Sequence, residues 1–185
     1  MECLLRSDLF MSRLLLTAAF AFLSGLAAYL GPINSSALAQ QPQARATYKD
    51  WSVFVREADG QKICFVAAEA GDKSPKSVNH GEVFFLIASW KSGAAKEQPS
   101  LMTGYALKAK PEPTVRIGSD KWNMYVSENE AFIEASAEES RLVRAMRRGA
   151  NMRISAVSQR GTATSYIISL RGVSAALDRA AAECR

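Results

Sequence analysis

A pair of cysteines that lie far apart, Cys64 and Cys184, is the feature that most constrains how this chain of 185 residues folds. The third cysteine of the sequence, Cys3, belongs to an N-terminal segment that is predicted to be removed. An oxidising compartment converts such a remaining pair into a disulfide. The sequence therefore predicts a Cys64–Cys184 bond, with two buried free thiols as the alternative.

The surroundings of each cysteine indicate what the bond would join. Cys64 lies in KICFVAA, an apolar run that is typical of a strand. On a helix from about Ser174 to Cys184, the sulfur would share one face with apolar side chains. These are Val173, Leu177 and Ala180. We therefore expect the disulfide to lock a C-terminal helix onto a sheet.

The N-terminal segment, residues 1–39, has the three parts of a secretory signal peptide. Arg6 and Arg13 precede an uncharged apolar run at residues 14–30, and Ala37-Leu38-Ala39 supplies the small residues that a signal peptidase needs. A membrane anchor is the alternative, but the run has 17 residues where a span takes about 20. We expect cleavage before Gln40 and a periplasmic or secreted protein.

The rest of the chain has the pattern of one β-rich domain. Residues 40–47 are polar and predict a flexible N-terminal tail, and residues 48–185 have the length of a single domain. Short aromatic and β-branched runs alternate with turn signals, which is typical of a sandwich or barrel. The run at 82–90 is apolar on both faces and predicts a central strand, and tight turns are expected at Ser119-Asp120 and Arg160-Gly161. The predicted class is mainly β: a single β-sandwich-like antiparallel domain with one internal helix and a C-terminal helix.

The internal helix has signals at both ends. Ser136 and Glu139 have the spacing of a capping box, in which each side chain bonds to the other residue's backbone N–H. Gly149 follows the helical pattern and predicts a left-handed C-cap. Glutamates begin the helix and arginines end it, which matches the helix dipole.

The arginines of this region are the candidate binding residues. The net charge of +5 favours weak attraction to anionic surfaces, and no acidic residue occurs from Ser140 to Leu177. Arginine forks bind carboxylate and phosphate, so we expect an envelope component, anionic lipid or lipopolysaccharide to contact these side chains. The candidates are Arg141, Arg144, Arg148 and Arg160. The alternative is a solvated face, and the absence of interleaved aromatics argues against nucleic acid.

The sequence contains no signature of catalysis. His80 is the only histidine, which is too few ligands for zinc, so neither a metal nor another cofactor is expected. Paired carboxylates are available in the stretch from Glu128 to Glu139, which includes Glu130, Glu134 and Glu138. The helix start already accounts for Glu138 and Glu139. A periplasmic enzyme that uses this stretch or His80 is the alternative function.

The two hypotheses predict different surfaces. An enzyme would show a deep cleft where Glu128, Glu130, Glu134 or His80 converge, whereas a binding protein would show a contiguous arginine surface or an exposed aromatic groove.

The tryptophans fall in predicted strands, where core filling explains them better than a ligand cage. They are Trp51, Trp90 and Trp122.

Several segments, taken in order, resemble one known family. They are YKDWSVFV, CFVAAEAGDKSP, FFLIASW and the stretch from MRRGANMRISAVSQ to the C-terminal cysteine. Over residues 48–184 the chain is therefore similar to the invasion-associated locus B family of exported bacterial proteins. The most specific part, residues 159–184, holds an Arg-Gly-Thr turn, a Ser-Leu-x-Gly step and the terminal cysteine.

The resemblance implies an exported, mostly β protein that the family name associates with host-cell invasion, and it implies no catalytic residue. The chain departs from the family in lacking a cysteine soon after its Asp-Trp step and in having Thr164-Ser165-Tyr166 where many members carry an acidic residue. We predict a non-enzymatic, virulence-associated protein that binds an envelope component or a protein partner. A purely structural envelope protein is a further alternative.

Overall fold

The computed structural model describes residues 41–185, so the predicted signal peptide and its cleavage before Gln40 lie outside the described residues. The strands are β1 (Gln43–Tyr48), β2 (Trp51–Ala58), β3 (Gln61–Glu69), β4 (Asp72–Ser74), β5 (Val83–Trp90), β6 (Gln98–Thr103), β7 (Thr114–Ile117), β8 (Asp120–Asn123), β9 (Tyr125–Ser127), β10 (Glu130–Phe132), β11 (Asn151–Val157) and β12 (Ala163–Ser169). The helices are α1 (Ser136–Arg148) and α2 (Val173–Glu183).

The described strands build a seven-stranded and a five-stranded antiparallel sheet. Their orders are β1-β2-β3-β5-β6-β10-β9 and β4-β12-β11-β7-β8. The run predicted as a central strand is β5, which lies between β3 and β6. The predicted class is confirmed: the domain is mainly β and β-sandwich-like, with one internal helix and one C-terminal helix.

Both predicted tight turns join paired strands. The β7–β8 pairing leaves Gly118 and Ser119 as the turn residues, one position before the predicted pair. Between β11 and β12, Arg160 and Gly161 lie in the turn as predicted. Gly118 and Gly161 have φ values of 58° and 87°, a conformation that glycine adopts without strain.

The flexible tail predicted for residues 40–47 is wrong from Gln43 onward, because this segment forms β1. It pairs with β2, and the hydroxyl oxygens of Thr47 and Ser52 lie 3.1 Å apart. β1 is an edge strand with mostly exposed side chains, so the hydrogen-bonded backbone rather than apolar burial holds it. A polar edge strand of this kind carries no hydrophobic alternation by which a sequence could reveal it.

The core lies between the two sheets, where one side-chain row of each strand points inward. The buried residues include Trp51, Val53, Val66, Phe85 and Leu101 from one sheet and Val115, Trp122, Ile154, Tyr166 and Ile168 from the other. Trp51 is fully buried and donates its indole N–H to the carbonyl of Ser169 over 2.9 Å. This hydrogen bond joins the seven-stranded sheet to the five-stranded sheet inside the core.

The helix α1 begins without the predicted capping box. Ser136 is its first residue, Ala135 is the N-cap, and no side chain caps the helix. The carbonyl of Ala135 accepts from the N–H groups of Glu138 and Glu139 over 2.9 and 3.0 Å. The N–H group that the Ser136 hydroxyl was predicted to bind is therefore already paired, and the capping-box prediction is wrong.

Gly149 ends α1 as predicted, but its conformation is extended, with φ −83° and ψ 162°, so the predicted left-handed cap is wrong. Its N–H still bonds to the carbonyl of Ala145 over 2.9 Å. The position needs glycine for space, because a Cβ atom there would lie 2.8 Å from both Ile117 Cγ2 and Leu170 Cδ1.

The helix α2 packs against β1, β2, β3 and β5. Its apolar stripe is buried as predicted, with Val173, Leu177 and Ala180 in the core. Gly172 precedes the helix at φ 94°, and a Cβ atom there would lie 1.9 Å from the carbonyl oxygen of Tyr48. Only glycine allows the helix to start this close to β1.

The predicted disulfide is confirmed. The sulfur atoms of Cys64 in β3 and Cys184 at the end of α2 are bonded, and the two Cα atoms lie 5.8 Å apart. The side chain of Cys64 is buried, whereas that of the next residue, Phe65, points to the opposite face. The bond therefore holds α2 on the inner face of the seven-stranded sheet.

Replacing both cysteines, Cys64→Ser with Cys184→Ser, should lower the free energy of unfolding by about 4 kcal/mol. The bond spans a sequence separation of 120 residues, and a long closed loop restricts the unfolded chain strongly. Denaturant unfolding of the variant and of the wild type checks this, and the wild type under reducing conditions should match the variant. An unfolding midpoint that both treatments leave unchanged would contradict the prediction.

Candidate functional site

The outer face of the seven-stranded sheet is apolar, although the opposite face already forms the core. Along β2, β3 and β5 the side chains alternate between fully buried inward positions and half-buried outward positions. The outward row of β5 alone carries Phe84, Leu86, Ala88 and Trp90. The helix α2, which Cys64 holds, and the buried core lie on the other side of the sheet, so neither of them covers these half-buried outward side chains.

These outward side chains enclose a groove, which we call the outer groove. Its floor has small residues, Ala67, Ala88 and Ser100, and its walls are large, namely Phe54, Phe65, Phe84, Trp90 and Phe132. The rings of Phe54 and Phe65 stack with centroids 5.2 Å apart, and those of Tyr125 and Phe132 stack at 5.6 Å. The groove has a volume of about 670 Å³, which lies within the roughly 300–1,000 Å³ of small-molecule sites.

The five-stranded sheet provides an internal comparison, because its outward side chains are mostly polar. They include Arg116, Arg153, Ser155 and Ser165, which sit in register with one another across β7, β11 and β12. Polar outward residues are the usual arrangement for an antiparallel sheet with one face on the core. The apolar outer face of the seven-stranded sheet is the exception within this domain.

Two charged residues line the outer groove at opposite ends. Arg56 pairs across the strands with Ile63, which in turn pairs with Trp90, so this row forms one end. Glu130 pairs with Met102, in the row of Phe84 at the other end. The Nε atom of Arg56 is buried and has no hydrogen-bond partner among the described residues. The groove is therefore apolar along its length and charged at its ends.

The predicted arginine surface is not one continuous site. Arg141 pairs with Glu138 over 2.8 Å and with Asp120 over 3.5 Å, and its guanidinium lies 4.1 Å from the ring centroid of Trp122. Arg144 and Arg148 are exposed on the same helix. Arg160 lies in the turn at the far end of the seven-residue strand β11, roughly 20 Å away by the rise of a strand. Binding through these residues stays a prediction.

Arg147, which the sequence analysis did not select, connects α1 to its neighbours. It pairs with Asp178 of α2 over 2.9 Å and with Glu97, before β6, over 3.1 Å. These partners are 31 and 50 residues away in the chain. No local spacing in the sequence could have indicated the contacts, which stabilise the packing of the two helices.

His80 is buried and holds two structural hydrogen bonds. Its Nε2 lies 2.8 Å from the carbonyl oxygen of Pro75, which can only accept, so Nε2 carries the proton. Its Nδ1 then accepts from the hydroxyl of Tyr166 over 3.0 Å. Burial raises the pKa of Tyr166, which keeps this phenol protonated. Both ring nitrogens are therefore engaged in hydrogen bonds within the fold.

The acidic stretch does not converge with His80. Glu130 lines the outer groove, Glu134 and Glu138 line a shallow depression beside Trp122, and His80 lies in a separate polar cleft with Tyr105 and Arg160. Burial raises the pKa of Glu139, but this side chain lies at the start of α1 beside Gln98. Glu130, Glu134 and His80 therefore line three different depressions of the described surface.

Two of the three tryptophans fill the core as predicted, since Trp51 and Trp122 are 0% and 3% exposed. The prediction is wrong for Trp90, which is half-buried and forms a wall of the outer groove. The signal for the groove was present in the run at 82–90, which is apolar on both faces. It indicated a central strand but could not show that one of the two faces stays open.

Within residues 41–185, no three His, Cys, Asp or Glu side chains are placed together so that they could hold a metal ion. Neither helix in this part of the chain is both long enough and apolar enough to span a membrane.

The fold and the groove together define a small β domain, closed by a disulfide through its last helix, that presents a ligand-sized apolar groove. The family model for the Invasion associated locus B (IalB) protein matches residues 51–181, and the chain therefore belongs to this family. The resemblance found in the sequence is thereby confirmed. Comparison with curated proteins and with solved structures gives no match.

A Tyr166→Phe substitution should lower the free energy of unfolding by about 1–3 kcal/mol, because it leaves His80 Nδ1 buried without a donor. It also removes one of the two partners of the Tyr105 hydroxyl, which lies 2.5 Å from the hydroxyl of Tyr166 and 2.9 Å from that of Thr164. Tyr125→Phe is the matched control, since Tyr125 is 47% exposed and should tolerate the change. Equal stability of the two variants in denaturant unfolding would mean that the buried network is not structural.

Proposed function

We propose that this protein is an exported, non-enzymatic binding protein whose binding surface is the outer groove. One observation carries the proposal: the domain has a complete core on one side of the seven-stranded sheet and a second apolar surface on the other. Soluble domains seldom leave a contiguous apolar surface open unless it binds something. The groove has the size of a ligand site, and its aromatic walls are rigid.

Export is supported by two independent features of the chain. The first is the signal-type segment, which combines basic residues, an apolar run at 14–30 and the small residues at 37–39. The second is the Cys64–Cys184 disulfide, a bond that persists in oxidising compartments and rarely in the cytosol. An envelope component would then be the ligand, and the family description adds an association with invasion.

The enzyme hypothesis has less support. His80 uses both ring nitrogens within the fold, and the carboxylates of the acidic stretch line different surfaces. The family description names no reaction. The arginines of α1 would provide a secondary contact, through the exposed Arg144 and Arg148, with the anionic surfaces expected from the net charge.

Export predicts a processed protein. When the full chain is expressed, the periplasmic fraction should contain a form that begins at Gln40, because the cleavage motif ends at Ala39. Intact mass measurement of the fractionated protein checks this. A protein that stays in the cytosol with residues 1–39 attached would contradict the proposed export.

An Ala88→Arg substitution should abolish binding of an uncharged apolar dye such as N-phenylnaphthylamine, because a long charged side chain would fill the groove floor. Fluorescence titration should show at least a tenfold loss of affinity. The matched control is Ser155→Arg, which places the same side chain on the exposed outer face of the five-stranded sheet. If the wild type does not bind the dye, or if both variants bind it equally well, the groove is not the binding surface.

A further inference from the structure

We infer that the outer groove binds a long-chain fatty acid, with the acyl chain along the groove and the carboxylate paired with Arg56. This inference rests on the proposed function and names the ligand class for the same site. It is carried by the chemistry of Arg56, by the length of the apolar lining and by the placement of its charges.

Arg56 has a hydrogen-bond donor without an acceptor, and a ligand would supply that acceptor. Its Nε is buried without an acceptor, and the side chain forms no ion pair with another described residue. A buried donor without a partner is costly in free energy, so most such groups in folded proteins are paired. A carboxylate that approaches the edge of the guanidinium would accept from Nε and one terminal nitrogen together, after a small rotation of the side chain.

The lining of the groove is long enough for an acyl chain. Along β5 it extends from Phe84 to Trp90, roughly 20 Å by the rise of a strand. Between these two residues β5 contributes Leu86 and Ala88, and aromatic rings on the neighbouring strands add to the apolar lining. A flexible apolar chain can follow this surface from one end to the other.

The charges set the direction of the ligand. Arg56 and Trp90 belong to one end of the groove, whereas Glu130 and Met102 belong to the other. A carboxylate would be attracted to Arg56 and repelled by Glu130, so the acyl tail points toward Phe84 and Met102. An apolar ligand without a charged group would leave Arg56 unpaired.

A second copy of this chain fits the outer groove less well than a fatty acid does. Contact between two copies through this face would pack the same concave groove against itself, which leaves space over the small residues of both floors. A flexible acyl chain fills the floor without this cost.

The test uses protein purified after expression of the full chain, stripped of lipid, and two probes that differ only in the head group, myristate and myristyl alcohol. Displacement of N-phenylnaphthylamine measures the affinity for each. We expect Arg56→Gln to weaken myristate about tenfold or more while the affinity for the alcohol changes less than twofold. Arg56→Lys should recover part of the loss. Arg116→Gln, an exposed arginine on the five-stranded sheet, should change neither affinity.

The remaining outcomes of this experiment each contradict a different part of the proposal. Equal binding of acid and alcohol, unaffected by Arg56→Gln, would overturn the role of Arg56 while leaving the groove as a binding surface. A wild type that binds neither probe nor the dye would overturn the proposed function as well. If sedimentation shows a dimer that Ala88→Arg converts to a monomer, the occupant is a second copy and the fatty-acid inference fails.

Discussion

The bond between Cys64 and Cys184 decides which face of the seven-stranded sheet is inside. Strand side chains alternate between faces, so once Cys64 is tied to the last helix, every second residue of β3 must face that helix. The neighbouring strands follow through their register with β3, and Val55 and Ser89 lie directly opposite Cys64. The remaining row, with Phe65 and Ala67, is thereby assigned to the outer face.

This division explains why the groove can exist without weakening the domain. The core has its own complete set of buried side chains from both sheets, and Trp51 bonds across it. Three arginines between Ser140 and Leu177 form ion pairs within the fold: Arg141 and Arg147 are paired with carboxylates, and Arg171 binds Asp50 through two nitrogens, over 3.0 and 3.2 Å. Arg56, in the groove, is a different case because its buried nitrogen has no described acceptor.

The sequence predicted the features that depend on local pattern. Alternation indicated β2, a run that is apolar on both faces indicated β5, helical periodicity indicated the buried stripe of α2, and the cysteine count indicated the disulfide. Features that depend on which backbone or side-chain group becomes the partner were missed or wrong. β1 is held by backbone pairing with β2, Ser136 lost its capping role to the carbonyl of Ala135, and Gly149 is required by its distance to Ile117 and Leu170 rather than by its own conformation.

The candidate site shows the same limit. The sequence by itself determined that the run at 82–90 is apolar on both faces, that the chain is β-rich and that one cysteine in a strand and one in the last helix are available for a bond. Each follows from residue type, cysteine count and short-range spacing. Only the tertiary structure decided that one of those two faces is open and that Arg56 lies beside it. That outcome depends on which elements pack on each side of the sheet, and packing between distant segments leaves no periodic trace in the sequence.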